Sequence, residues 1–132
     1  YKRQKQGYQR YNLPKPKFLS LTYPVIDLSL KKGVTRANCL GENCSEEEVK
    51  KYSVHTNVDE NYPETYLWQG RNDQCISFEN SVIMDKALTE NNVKHKYVVY
   101  DDTCHGFGAG NGTCAEGWID DMLKFFNENN KE

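Results

Sequence analysis

The sequence predicts an α/β fold in which an open parallel sheet carries helices on both faces. Three apolar segments with strand character alternate along the chain with three segments of helical character. Strands that alternate with helices are joined by right-handed crossovers, which make the strands parallel and place the helices against the sheet. The length of 132 residues is that of one domain. A folded chain of about this size buries roughly two-thirds of its extended surface, so a single hydrophobic core is sufficient.

Proline residues mark the first predicted strand. Pro14 and Pro16 fix an extended approach to residues 18–23, whose dense apolar character is typical of a strand buried on both faces. Pro24 ends regular pairing, and we expect residues 25–33 to form a loop.

Serine and glutamate at a spacing of three mark the helix starts. Ser45 and Glu48 form a predicted capping box for a short helix that runs to Lys51. Ser77 is the predicted N-cap of a longer helix that ends at residues 91–92. Its apolar positions recur near helical spacing: Phe78, Val82, Ile83, Ala87 and Leu88.

The second and third predicted strands are residues 65–69 and 93–100, each followed by turn-forming residues. After the third strand comes a glycine-rich loop, residues 106–112, and then a last helix. Residues 113–116 form a possible second capping box for that helix. One face of the helix is apolar: Trp118, Ile119, Met122, Leu123 and Phe126.

Charge and hydropathy exclude several classes of partner. The 17 Lys and Arg residues nearly balance 19 Asp and Glu residues, so no field of one sign favours nucleic acid. No apolar run approaches the roughly 20 residues of a membrane span, and no signal peptide is recognisable. We therefore expect neither nucleic acid nor a membrane as partner.

The N-terminal segment departs from this balance. Residues 1–17 contain three tyrosines and no acidic residue, and their basic side chains are Lys2, Arg3, Lys5, Arg10, Lys15 and Lys17. Such a stretch can bind RNA, but a solvated segment leading into a strand is the simpler interpretation. We take residues 1–16 as a connecting segment and residues 17–132 as the folded unit. The chain has no initiating Met, so we expect a piece of a longer protein.

Two loops carry the candidate catalytic residues. In an open α/β sheet, reactive groups lie beyond the carboxyl ends of the strands. Asp73 follows the second predicted strand and His105 follows the third. Neighbouring strands lie roughly 5 Å apart, so a carboxylate can reach Nδ1 of the imidazole and leave Nε2 to take a proton from a hydroxyl nucleophile. Asp101 and Asp102 are closer to His105 in sequence and remain alternative partners.

Several short motifs resemble α/β-hydrolases of the carboxylesterase type. Residues 70–73 resemble the acid loop of these enzymes, in which G-x-x-D follows an apolar strand. Residues 104–108 resemble the base loop, in which H-G-F precedes the final helix. Three further stretches are similar to acetylesterases and acetyl-xylan esterases: residues 23–27, 79–81 and 117–118. The similarity extends over about residues 17–126, with the motifs in the family's order.

The resemblance implies the C-terminal portion of an α/β-hydrolase fold. It implies a carboxylic-ester hydrolase with a Ser-Asp-His triad, to which this chain contributes Asp73 and His105. The expected substrate is a small acyl ester, in particular an acetyl ester of carbohydrate, and no metal or organic cofactor is expected. No G-x-S-x-G motif for the serine occurs in these residues. We therefore expect the nucleophile and the oxyanion hole in a missing N-terminal half, and the isolated chain to be inactive.

Two other functions remain open. A serine peptidase of the prolyl-oligopeptidase type shares these loops, and an additional upstream domain would favour it. A non-catalytic, hydrolase-like remnant that binds a partner through an open sheet edge is the second alternative. The absence of a G-x-S-x-G motif from the whole protein would favour the remnant.

The cysteines lead to a prediction about disulfides. There are five, so they cannot all pair within one chain. We expect a disulfide near the site, either between Cys104 and Cys75 or between Cys104 and Cys114, with small buried hydrophobic side chains as the alternative. No CxxC motif or Cys/His spacing fits zinc. Two N-x-S/T sequons, at Asn43 and Asn111, favour a secreted protein over a cytoplasmic one.

Overall fold

The structure is a computed structural model that describes residues 11–12, 14–30, 34–102 and 105–129. Most of the predicted connecting segment 1–16 lies outside these residues. The strands are β1 (Phe18–Thr22), β2 (Glu64–Gly70) and β3 (His95–Tyr100). The helices are α1 (Val34–Leu40), α2 (Glu46–Tyr52), α3 (Glu79–Glu90) and α4 (Trp118–Asn129), with a 3₁₀ turn at His55–Asn57.

The three strands form one parallel sheet in the order β1-β2-β3. Leu21 of β1 pairs with Leu67 of β2, and Leu67 pairs with Tyr97 of β3. All three strands therefore end at the same edge of the sheet, and so do the loops that follow them.

The central strand β2 carries the core on both of its faces. Successive side chains of a strand point to opposite faces. Leu67 packs with Met84 of α3 in one core cluster, whereas Trp68 packs with Phe126 of α4 in the other. Helices therefore cover both faces, and the predicted open parallel α/β sheet is confirmed.

The first strand differs from the prediction in its burial. We expected residues 18–23 to be buried on both faces, but Phe18 and Ser20 are exposed and Leu19, Leu21 and Thr22 are only half-buried. The reason is position, because β1 pairs only with β2 among the described residues. The strand that is buried throughout is β2 instead.

The predicted helix N-termini agree with the structure for α2 and differ from it for α3. The capping box of α2 is confirmed, since Ser45 Oγ accepts from the Glu48 N–H and the Glu48 carboxylate accepts from the Ser45 N–H. The predicted N-cap Ser77 is wrong, because α3 begins at Glu79 and Phe78 occupies the cap position. Helix α1 and the 3₁₀ turn were not predicted.

The segment before α4 is a series of turns, so the predicted second capping box is also wrong. Thr113 Oγ1 accepts from the Ala115 N–H within this turn, and the helix starts five residues after Thr113 at Trp118. Gly117 has a φ of +84°, which interrupts the helical path. A Cβ at Gly110 would lie 2.5 Å from the Ala115 carbonyl oxygen, so only glycine fits there.

None of the described helices combines the length and the apolar character that a membrane crossing requires.

Candidate active site

Asp73 and His105 lie in the loops that follow β2 and β3. Strand pairing continues into these loops, because the Arg71 N–H donates to the Tyr100 carbonyl at 2.8 Å. Asp73 Oδ2 and His105 Nδ1 are 2.9 Å apart, which is a hydrogen-bond distance. The two predicted residues are therefore in direct contact at the carboxyl edge of the sheet.

Asp73 is held as a carboxylate by its own turn. Its side chain is fully buried, and Oδ1 accepts the N–H groups of Cys75 and Ile76, both at 2.9 Å. Burial alone raises the pKa of Asp73, but the hydrogen bonds from Ile76, His105 and Cys75 outweigh it and leave the pKa below its ordinary value. The group is therefore ionised at neutral pH.

The contact with a carboxylate assigns the proton on the His105 ring. A carboxylate only accepts, so Nδ1 carries the hydrogen and Nε2 of the neutral ring has a free lone pair. The structure shows no hydrogen bond from Nε2 to another described residue. The His105 side chain is 32% exposed, so Nε2 is available to an external group. The pair can act as a proton acceptor with a fixed tautomer.

Tyr23 packs against His105. Its ring centroid is 4.6 Å from that of His105 and 5.1 Å from that of Trp68. Its φ is +41°, a left-handed conformation that costs a non-glycine residue roughly 1–2 kcal/mol. Strain of this kind often occurs at functional sites. No motif in the sequence predicted a site role for Tyr23.

Asp101 and Asp102, the alternative partners of His105, form no hydrogen bond with its ring in the described part of the chain. Asp101 instead takes part in a second set of contacts that joins the two loops. Asp101 accepts a hydrogen bond from Arg71 Nε at 3.0 Å, and its backbone carbonyl accepts one from Asn72 at 2.8 Å. Asp101 therefore pairs with Arg71. Asp102 is exposed, and the partner of His105 is Asp73.

The other two histidines lie apart from this pair. His95 is the first residue of β3, at the opposite end of the strand from the base loop, and its Nε2 is 3.0 Å from Asp85. His55 is half-buried in the 3₁₀ turn. Neither residue contributes to the candidate active site.

The predicted disulfide is not supported. The cysteines within the described residues, Cys39, Cys44, Cys75 and Cys114, form no disulfide with one another. Both predicted pairings include Cys104, which lies outside the described residues. In the described part of the chain, no three or more His, Cys, Asp or Glu side chains form a group that could hold a metal ion.

A cavity of about 410 Å³ has a lining that includes neither Asp73 nor His105. Its apolar lining includes Val25, Ile26, Leu28, Tyr52, Val54 and Tyr62. A smaller cavity of about 30 Å³ shares Val25 and Leu28 with it and adjoins Ile76 of the acid loop.

Gln69 also contributes to the site and was counted only as a strand residue in the sequence analysis. It is fully buried at the end of β2, and its Nε2 lies 3.3 Å from Asp73 Oδ2. A polar side chain at the end of an otherwise apolar strand, four residues before the acid, is a signal that points to such a contact.

The sequence is similar to a described protein family and to a bacterial xylanase. The model of the prolyl oligopeptidase family, peptidase S9, matches residues 18–132. The chain is 29% identical over 105 residues to endo-1,4-beta-xylanase B of Butyrivibrio fibrisolvens, and this match covers 79% of the chain but 16% of the xylanase.

Solved structures give the fold. An acetyl ester-xyloside bifunctional hydrolase from Caldicellulosiruptor lactoaceticus aligns with a TM-score of 0.82 and 28% identity, over 86% of this chain and 43% of that one. A carboxylesterase from Lactobacillus plantarum aligns with a TM-score of 0.74 and 19% identity, over 94% and 50%. The sheet is therefore part of an α/β-hydrolase fold, as the motifs predicted, and the chain spans half or less of these structures.

Proposed function

The chain belongs to the prolyl oligopeptidase family, and on that premise we propose that it supplies the acid and the base of a serine-type carboxylic-ester hydrolase. The observation that carries the proposal is the 2.9 Å contact between Asp73 Oδ2 and His105 Nδ1 at the carboxyl edge of the sheet. A buried carboxylate that fixes the tautomer of a partly exposed imidazole has the geometry of the acid and base in a Ser-His-Asp triad.

The reaction begins with a serine hydroxyl from the remainder of the protein. Nε2 of His105 takes the hydroxyl proton while the serine oxygen bonds to the ester carbonyl carbon, and Asp73 stabilises the imidazolium. The alcohol leaves with the proton from His105, which gives an acyl-enzyme. Water then attacks the acyl carbon and gives a proton to Nε2, which passes it to the serine oxygen as the bond between that oxygen and the acyl group breaks and the acid leaves. The role of this chain is to accept and return that proton.

The proposed substrates are small acyl esters, in particular acetyl esters of carbohydrate. Support comes from the similar proteins, which are an acetyl ester-xyloside hydrolase, a carboxylesterase and a xylanase. A neutral imidazole paired with an ionised carboxylate carries out this chemistry without a metal or an organic cofactor, and we propose neither.

The proposed partner is the N-terminal half of the same hydrolase, which would provide the serine and the oxyanion hole. Exposed apolar side chains at and near the free edge of β1 support this: Phe18 is 46% exposed, Ile119 38% and Leu123 47%. Phe18 stacks on Phe126 with ring centroids 4.1 Å apart. Residues 119, 123 and 126 share one face of α4, so the three exposed side chains form one surface next to the edge of β1. We call this surface the edge patch.

The proposal also includes a domain boundary at residues 16–17 and secretion of the protein. Residues 1–16 connect the folded unit, residues 17–132, to whatever precedes it. Both sequon asparagines, Asn43 and Asn111, are exposed, as glycosylation of a secreted protein requires.

A peptidase is the second candidate, and the observation that favours it is the family match itself. One experiment tests both activities. The isolated chain, the upstream half and a mixture of the two are assayed with p-nitrophenyl acetate and with a prolyl p-nitroanilide. The ester hydrolase predicts acetate release by the mixture alone and no cleavage of the anilide. Preferential cleavage of the anilide would favour the peptidase, and a mixture that cleaves neither substrate would favour a non-catalytic remnant.

A further inference from the structure

Gln69 has contacts that strand packing alone does not explain. It lies in β2 on the same face as Thr65 and Leu67, and its side chain is completely buried. Its Nε2 donates to the Ile76 carbonyl at 2.8 Å and to Asp73 Oδ2 at 3.3 Å. One amide group therefore contacts the side chain of the acid and the backbone of the acid loop.

The orientation of the amide follows from its neighbours. Asp73 Oδ2 and the Ile76 carbonyl oxygen only accept hydrogen bonds, so the NH₂ end of Gln69 must face both of them. Asp73 Oδ2 is also the oxygen that contacts His105 Nδ1. Gln69 therefore donates to the same oxygen atom that orients the base.

These contacts close a ring around the carboxylate. Oδ1 of Asp73 accepts from the Ile76 N–H, the Ile76 carbonyl accepts from Gln69, and Gln69 donates to Oδ2. The ring fixes the plane of the carboxylate, because Oδ1 accepts from the turn and Oδ2 accepts from Gln69 in β2. A fixed plane keeps Oδ2 directed at Nδ1 of His105.

The other end of Gln69 indicates that stability is not the main role of this side chain. Its Oε1 is buried and has no hydrogen-bond partner among the described residues. A buried polar atom without a partner is unfavourable for folding, and an apolar side chain of the same size would avoid it. Polar residues that oppose stability in this way are common where activity requires them.

From these observations we propose that Gln69 is a positioning residue, which holds the Asp73 carboxylate in the orientation that aligns His105 for proton transfer. The proposal rests on the esterase function proposed above. It adds a residue that does not touch the substrate and acts through Asp73. Loss of the Gln69 donor leaves Oδ2 of Asp73 with His105 as its one side-chain partner among the described residues, so the carboxylate is free to turn away from Nδ1.

The test is the substitution Gln69→Met in the full-length protein, which keeps the volume and removes the amide. The matched control is Thr65→Val, on the same face and strand, where Oγ1 donates to the Pro63 carbonyl at 2.8 Å away from the site. Three quantities are measured: the pH dependence of kcat/KM on p-nitrophenyl acetate, the melting temperature, and the ¹H NMR resonance of the His105 Nδ1 proton.

With Gln69→Met we expect kcat to fall about 10- to 100-fold, the pH profile of kcat/KM to change, and the Nδ1 proton resonance to shift or broaden. The melting temperature should change by less than about 4 °C. The substitution loses two hydrogen bonds, which is destabilising, but it also removes the buried Oε1 that has no partner among the described residues, which is stabilising. Thr65→Val should leave kcat, the pH profile and the resonance unchanged.

Unchanged kcat and an unchanged Nδ1 resonance in Gln69→Met would overturn the proposal. So would a loss of folding in both Gln69→Met and Gln69→Asn, because the role would then be structural. The NMR measurement separates this proposal from the esterase function. If the protein has no esterase activity but the resonance still responds to Gln69→Met and not to Thr65→Val, the positioning contact stands and the proposed reaction fails.

Discussion

The carboxylate of Asp73 is 2.9 Å from Nδ1 of His105, although 32 residues separate them in the sequence. The parallel order of β2 and β3 explains the distance, because both strands end at one edge and their loops are joined by Arg71 and Asp101. The Asp73 side chain is buried and the His105 side chain is partly exposed, so only His105 is available to another reactant.

The choice of Asp73 over Asp101 as the acid leads to a paired prediction. Asp73→Asn in the full-length protein removes the carboxylate that fixes the tautomer of His105, so kcat on p-nitrophenyl acetate should fall by about three to four orders of magnitude. Asp101→Asn changes only an exposed contact with Arg71 and should alter kcat less than about threefold. A larger effect of Asp101→Asn than of Asp73→Asn would reverse the assignment.

The strained Tyr23 gives a prediction that separates stability from activity. Tyr23→Ala and Tyr23→Gly both remove the ring that packs on His105, so each should lower kcat about tenfold or more. Glycine tolerates a φ of +41° and alanine does not, so the glycine variant should be more stable by roughly 1 kcal/mol in urea unfolding.

The control for these two variants is Tyr23→Phe, which keeps the ring and should retain kcat within about threefold. Equal stability of the alanine and glycine variants would show that Tyr23 is not strained. Full activity without the ring would show that the contact with His105 has no catalytic consequence.

Asp73 also predicts how stability depends on pH. Its pKa in the folded protein is below the ordinary value, despite the opposing effect of burial, because of its hydrogen bonds to Ile76, His105 and Cys75. Its contribution is therefore fully present above the unfolded-state pKa of about 4 and is lost as pH falls through the lower folded-state pKa. Urea midpoints of the full-length protein at pH 6 and pH 3 should differ less in Asp73→Asn than in the wild type. An equal decrease of the urea midpoint between pH 6 and pH 3 in both proteins would contradict this prediction.

The edge patch predicts that the isolated chain aggregates unless a partner covers this surface. Unpaired strand edges next to exposed apolar side chains recruit other chains. In size-exclusion chromatography with light scattering, we expect the chain to aggregate alone and to form a defined complex with the upstream half. Leu123→Ser should weaken that complex, whereas Val82→Ser, which changes a 46% exposed residue on α3, should not. A stable monomer of 15.3 kDa with a cooperative melt would contradict the dependence.

Local patterns were sufficient to predict much of the fold. The apolar runs gave the three strands, and the Ser45–Glu48 spacing gave the capping box of α2, because such signals depend on residues close in sequence. The same reasoning failed for β1, since burial depends on how many neighbours a strand has, and sequence does not give the neighbours. Helix α1 has seven residues, which is too few for helical periodicity to be established from the sequence, and none of them is buried.

Two residues of the candidate site could be predicted because of their position after strands. Asp73 and His105 follow strands directly, so topology brings them together. The roles of Gln69 and Tyr23 depend on tertiary contacts, namely an amide that reaches back to the acid loop and a ring that packs on the base. A polar residue at the end of an apolar strand is a local signal for Gln69, but it does not identify the partner, and Tyr23 leaves no such signal.

The most direct measurement is the effect of His105→Ala on ester hydrolysis by the full-length protein, because the base and the serine of a triad act as a unit. With p-nitrophenyl acetate, we predict that kcat falls by several orders of magnitude while the melting temperature changes little. His95→Ala, which removes a histidine at the opposite end of β3, should leave kcat within about threefold. A loss of less than about tenfold for His105→Ala would contradict its role as the base and with it the proposed function.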